Sequence, residues 1–290
     1  MWRGEVNFMA GGKVSGADIF FLKLSGLLMG RKKFFHKGAE SMPLGDIIAK
    51  SKADGEVALT TGKHTINVHT PYGILKAGYF VMRRPRGGPT IIYHHGSGEY
   101  PCYGSFRRIV GPIKEVGAIG VCAPFHNRYG GLISAGASLS TYTAMVGSST
   151  VVVEALVKRI KGEMSSKVVV SGLSLGGFVS VFHSAFFSGS DVYVPLLGGA
   201  YLGSALVDGY YRYLVSDPDK ISSVVKGVLD VDMPLSVENI YPLFGLYDGI
   251  VMPEIQSRPF KDDHISYIPR GHIWGSVAYS FLRNHILSHM

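Results

Sequence analysis

The chain has 290 residues, of which 46% are hydrophobic and 17% charged, enough apolar material for one large α/β domain and too much for a disordered chain. No apolar run is long enough to span a bilayer, and Ile19–Met29 is broken by Lys23 and lacks the charged start and cleavage pattern of a signal peptide, so a cytoplasmic protein is expected. The net charge of +8 comes from basic residues spread along the chain with no C2H2, RNP or helix-turn-helix signature, so no nucleic-acid partner is expected.

Residues 1–63 read as a leader of uncertain structure packed on the core, with a helical pattern near 17–29 and turns at Pro43-Leu44-Gly45 and Asp54-Gly55. The cluster Arg31-Lys32-Lys33, continued by Lys37, follows the apolar stretch. It reads as a solvated helix end favoured by the helix dipole, with a basic helix lying on a membrane surface as the less favoured alternative. From 64 onward the signals alternate. Strands near 64–70 and 74–82 flank the turn Pro71-Tyr72-Gly73, and Pro89–His95 is a buried strand running into Gly96-Ser97-Gly98.

A helix near 103–116 precedes a strand over Ala118–Phe125. A long helix over 138–162 shows Val153, Leu156, Val157 and Ile160 on its apolar face, with Gly162 as its stop. Beyond residue 190 come a strand near 191–197, an inserted helical segment 201–235, a strand Ile240–Leu246 and a strand His264–Ile268. A C-terminal helix carries Val277, Phe281, Leu282 and Ile286. Strands alternating with helices imply a mostly parallel sheet covered on both faces. Cys102 and Cys122 form neither a disulfide framework nor a metal spacing and are expected to be reduced. His94 and His95 have no carboxylate or cysteine at matching spacing, so no metal is expected.

The most informative residue is Ser174, in Gly172-Leu173-Ser174-Leu175-Gly176. With 38 glycines in the chain, a chance match to G-x-S-x-G is expected about half the time, so the context has to decide. The match follows the β-branched run Lys167–Ser171 and precedes Phe178, Val181, Phe182, Ala185 and Phe186 at helical spacing. Strand, tight turn and helix make a nucleophile elbow.

A serine hydroxyl is a weak nucleophile until a base takes its proton, and that base needs a third group to hold its tautomer. Both partners should stand at the carboxyl ends of strands. Asp248 follows the strand ending at Leu246, and His272 follows His264–Ile268 just before the last helix. Glu254 is the nearest rival acid.

With Gly172–Gly176, Gly245-Leu246-Tyr247-Asp248 and Gly271-His272 in that order, residues 64–290 resemble the α/β-hydrolase fold enzymes. The resemblance implies a serine esterase that needs no cofactor and acts on a small-molecule ester. Ser174 would be the nucleophile, His272 the base and Asp248 the orienting carboxylate. It further implies an oxyanion hole from the backbone N–H groups of Leu175 and of the loop His94–Gly98, with Ser97 as the donor; Ser97 departs from the HGGG pattern. An insertion such as 201–235 often forms a cap in these enzymes, and its aromatic first half nominates Tyr210 and Tyr211 as pocket residues for an acyl or aromatic ester. Packing onto the sheet edge is the equal alternative. A thioesterase, amidase, peptidase or acyltransferase, or a binding protein without catalysis, could use the same fold.

Overall fold

The computed structural model describes residues 15–164, 167–232 and 238–290. Among them nine strands form one sheet: β1 (Lys52–Asp54), β2 (Gly62–Thr70), β3 (Gly73–Arg83), β4 (Thr90–His94), β5 (Gly117–Cys122), β6 (Val168–Leu173), β7 (Val192–Leu196), β8 (Leu243–Gly245) and β9 (Ser266–Ile268). Their order is β1-β2-β3-β5-β4-β6-β7-β8-β9. From β5 to β9 all neighbours are parallel, while β1, β2 and β3 pair antiparallel on one edge. The hairpin closes at Thr70↔Gly73, across the turn expected there.

Along β6 successive side chains enter different cores. Val168 and Val170 join the cluster built around the long helix, and Val169 and Leu173 join the one on the other face. A strand buried on both faces must read as a continuous apolar run, as this one does.

The helices are α1 (Gly16–Met29), α2 (Leu44–Lys50), α3 (Gly104–Ile109), α4 (Gly131–Ala135), α5 (Leu139–Met164), α6 (Leu175–Phe186), α7 (Leu202–Val207), α8 (Pro218–Leu229), α9 (Pro253–Gln256), α10 (His272–Ser276) and α11 (Tyr279–Leu287). Several boundaries differ from expectation. The turn read at Pro43-Leu44-Gly45 is the start of α2, with Pro43 as its N-cap, the position next to the site where proline's fixed φ suits a helix. The helix read over 103–116 ends at Ile109, because Gly111-Pro112 cannot continue it. Gly162 does not stop α5, which runs on to Met164. On α6, Phe178, Val181 and Phe182 are buried but Phe186 is exposed. At the start of α8, Asp217 is the N-cap at φ 45, Pro218 is the first helical residue, and Asp219 pairs with Arg212.

The leader contributes to the sheet and to the surface around the site. β1 lies at the sheet edge, α2 packs on α5, and Phe34 forms a parallel bridge with Val215 in the inserted segment. Phe34 and Phe35 are buried among Tyr142 and Tyr211. The cysteines are a correction. Cys102 and Cys122 form a disulfide with their Cα atoms 5.6 Å apart, because the loop after β4 folds back over the end of β5 and brings them within bonding reach.

Candidate active site

Ser174 sits between β6 and α6 with φ 54 and ψ −110, a strained backbone that lifts its side chain off the sheet. The turn closes only because its flanking residues lack side chains. A Cβ on Gly172 would lie 2.5 Å from the Gly176 carbonyl carbon, and one on Gly176 would fall onto the His94 carbonyl. Such positions accept glycine alone.

Three sequence-predicted residues from three strand ends meet here. His272 Nε2 is 2.9 Å from Ser174 Oγ, and His272 Nδ1 is 2.7 Å from Asp248 Oδ2. The other Asp248 oxygen accepts the N–H groups of Ile250 and Val251, each at 2.8 Å. Asp248 is thereby buried with both oxygens partnered and cannot rotate away from the imidazole. Glu254, on α9, is exposed. Burial disfavours the His272 imidazolium, but the charge and hydrogen bond of Asp248, with the charge of Asp18, outweigh it and hold the pKa above the ordinary histidine value.

Asp18 is the site residue that sequence reasoning missed. It is fully buried on α1, and its carboxylate accepts the backbone N–H of His272 at 2.7 Å and of Ile273 at 3.1 Å. These are the first N–H groups of α10, which have no partner inside the helix. Burial raises the Asp18 pKa against the pull of those two bonds. The approach is so close that a Cβ on Gly271 would stand 2.6 Å from Asp18 Oδ2.

The loop after β4 is held from behind. Glu99 accepts from Ser105 N and Oγ, each at 2.6 Å, and from Gly96 N at 3.4 Å. The Gly96 N–H is therefore occupied, which leaves Ser97 as the next donor along the loop. His126 Nε2 lies 2.8 Å from the Ser97 carbonyl. His95 Nε2 accepts the Ala123 N–H at 3.0 Å, which puts its proton on Nδ1, facing the Gly96 carbonyl at 2.7 Å. The rings of His94 and His95 stack, and that of His126 lies tilted against His95 with centroids 4.6 Å apart. Burial pushes the His94 pKa down to about 4 and lowers that of the other two. Leu175 is the first residue of α6, so its N–H also has no partner inside its helix. Among the described residues no group of histidines, cysteines and carboxylates could hold a metal ion.

No family model matches the chain, and no curated protein matches it. Solved structures do. An acetyl xylan esterase from Paenibacillus sp. R4 superposes with a TM-score of 0.52 over 96% of this chain and 96% of its own, at 11% identity. A hydrolase from Pseudomonas aeruginosa PA01 gives a TM-score of 0.50 over 78% of this chain and 98% of its own, at 14% identity. The fold is that of the α/β hydrolases.

In the α/β-hydrolase fold of this chain, the segment after β7 brings one of the two nominated tyrosines to the site. The Tyr211 hydroxyl bonds to the Ser97 side chain, and burial pushes the phenol up to about 12. Tyr210 is turned elsewhere. Its N–H donates to Gly249 O at 2.7 Å and its ring stacks on Tyr213, beneath Lys23 of α1. Adjacency in the sequence hides this split, because the 3₁₀ turn Tyr210–Leu214 points neighbours in different directions.

Proposed function

We propose that the chain is a serine hydrolase that cleaves a carboxylic ester through an acyl-enzyme. One observation carries the reading: the hydrogen-bonded series Ser174–His272–Asp248, begun at a strained elbow. Ser174 Oγ attacks the ester carbonyl as His272 Nε2 takes its proton, and the developing oxyanion accepts from the N–H groups of Leu175 and Ser97. Each such donor is worth about 3–4 kcal/mol of barrier. The carbon–oxygen bond to the leaving group then breaks, and His272 returns the proton to the departing alcohol. A water that His272 deprotonates attacks the acyl carbon, Ser174 regains its proton, and the acid leaves.

Asp248 holds the imidazole in the tautomer that accepts from serine, and Asp18 acts as a positioning residue for the backbone that carries it. Tyr211, bonded to Ser97, supports the reading of 201–235 as a cap over the acyl side. The test is labelling by a fluorophosphonate probe, which should modify the wild-type chain stoichiometrically and leave Ser174→Ala unmodified. Turnover of p-nitrophenyl esters from acetate to palmitate then defines the acyl preference. Absence of labelling in the folded wild-type protein would leave the fold as a binding scaffold.

A further inference from the structure

α1 is inverted relative to an ordinary surface helix. It directs inward Asp18, Leu22 and Gly26, of which one is a carboxylate and one has no side chain. On the opposite side Phe20, Phe21, Leu24, Leu27 and Leu28 are 71, 56, 44, 78 and 78% exposed. At 3.6 residues per turn these five form one stripe, not scattered single side chains. A continuous apolar face of this kind marks an interaction site.

Along residues 15–39 the exposed charges are of one sign. Between residues 15 and 39 the only acidic side chain is Asp18, which is buried beneath the catalytic histidine, while Lys23, Arg31, Lys32 and Lys37 are exposed. At the other end of α1, Trp274 is 59% exposed beside Arg270, on a groove of about 530 Å³ that begins at Ser15. Tryptophan and basic residues flanking an apolar stripe suit the boundary between water and lipid. A second copy would bring the same cations and find no acid in this stretch to receive them. Among the described residues no helix is long and apolar enough to cross a membrane.

We propose that α1 and the basic turn after it dock the protein on the surface of a bilayer that contains anionic lipids. The helix lies in the plane of the membrane, with its apolar stripe at headgroup depth and its cations on the phosphates. The exposed stripe thus favours the membrane-surface alternative over a solvated helix end. This inference does not depend on the hydrolase reading, since binding needs neither Ser174 nor His272.

Co-sedimentation with vesicles is the test. The full chain should pellet with vesicles of equal parts phosphatidylglycerol and phosphatidylcholine, much less with phosphatidylcholine alone, and less as salt is raised. A Phe20→Ser/Leu27→Ser/Leu28→Ser variant should lose about tenfold or more in binding. It should keep its circular dichroism and the wild-type rate of fluorophosphonate labelling without lipid. Arg31→Gln/Lys32→Gln should lose the preference for the anionic vesicles. Wild-type protein that stays in the supernatant, or a triple variant that pellets equally well, would overturn the proposal. A wild-type dimer that the triple variant turns into a monomer would assign the face to a second copy and overturn it too. Labelling of Ser174 is read separately in every case, so the two readings fail independently.

Discussion

Asp18 and His272 lie 254 positions apart in the chain and are joined by a 2.7 Å hydrogen bond from the histidine backbone to the aspartate carboxylate. Asp248 fixes the ring of the same residue from the other side. One histidine is therefore held by two carboxylates, one acting on its backbone and one on its imidazole.

Asp18→Asn should separate these two roles. The amide meets two N–H donors with a single acceptor oxygen, so one donor is left facing the NH₂ group. Losing a charged hydrogen bond of this kind costs about 1.5–3 kcal/mol, which predicts a fall of tenfold or more in kcat/KM. The Asp18 charge also helps to raise the His272 pKa. Activity needs the neutral imidazole, so the acid limb of kcat/KM should lie above the ordinary histidine value in the wild type and move to lower pH in the variant. A merely structural role would lower activity without moving that limb.

Asp248→Asn should reduce kcat by about 10⁴-fold, because the amide no longer selects the tautomer that accepts from serine. Glu254→Gln, altering an exposed side chain on α9, should leave kcat within error of the wild type. Steady-state kinetics on one ester compares both.

The three buried histidines at the loop after β4 predict acid lability. His94 has its pKa depressed to about 4 in the folded chain by burial. A histidine with a lowered folded pKa contributes stability that is complete above the unfolded value and is lost as pH falls through the folded one. Denaturant midpoints should thus decline from about pH 6.5 toward pH 4, by on the order of 3 kcal/mol for this group. His94→Gln should show a shallower decline. An equal slope would place the lability elsewhere.

Tyr211→Phe removes the bond to Ser97 and keeps the ring, whereas Tyr211→Ala removes both. If the ring walls the acyl pocket, the alanine variant should change the ranking of short against long acyl esters by about tenfold, at 1–3 kcal/mol per methylene of contact. The phenylalanine variant should keep the ranking and lose rate through a loosened Ser97. Tyr210→Ala should leave the ranking unchanged, its ring being committed to Tyr213.

The Cys102–Cys122 bond closes a short loop with a sequence separation of 20 that contains Ser105, the partner of Glu99. Replacing both cysteines with serine should lower unfolding free energy by about 2–4 kcal/mol. Thiol titration of the denatured, unreduced protein should find no free thiol. Such bonds persist in oxidising compartments and inside cells of hyperthermophiles.

The grouping of Ser174, Asp248 and His272 was legible because each stands next to its own strand, and chain order supplied the pairing. Strand and helix alternation likewise disclosed the mostly parallel sheet. Asp18 was not legible, since its partner is a backbone N–H at the far end of the chain and its own surroundings read as an ordinary helix. Periodicity reveals that α1 has two faces but not which one turns inward; the burial of Gly26 against the Tyr213 carbonyl decides that. The disulfide escaped for a related reason, because a separation of 20 residues says nothing about a loop folding back onto a strand end.

The glycines of the elbow have a consequence for inheritance. Gly172 and Gly176 face each other, and Gly198 stands so near the Ser174 carbonyl that a Cβ there would be 2.6 Å from its oxygen. No codon one nucleotide away from glycine encodes a smaller residue, so every missense change at these positions puts atoms where backbone already stands. In a saturation library under selection for activity, all three should be closed to every substitution, including alanine. Gly227, with nothing within 4 Å of its Cβ position, should accept most of them.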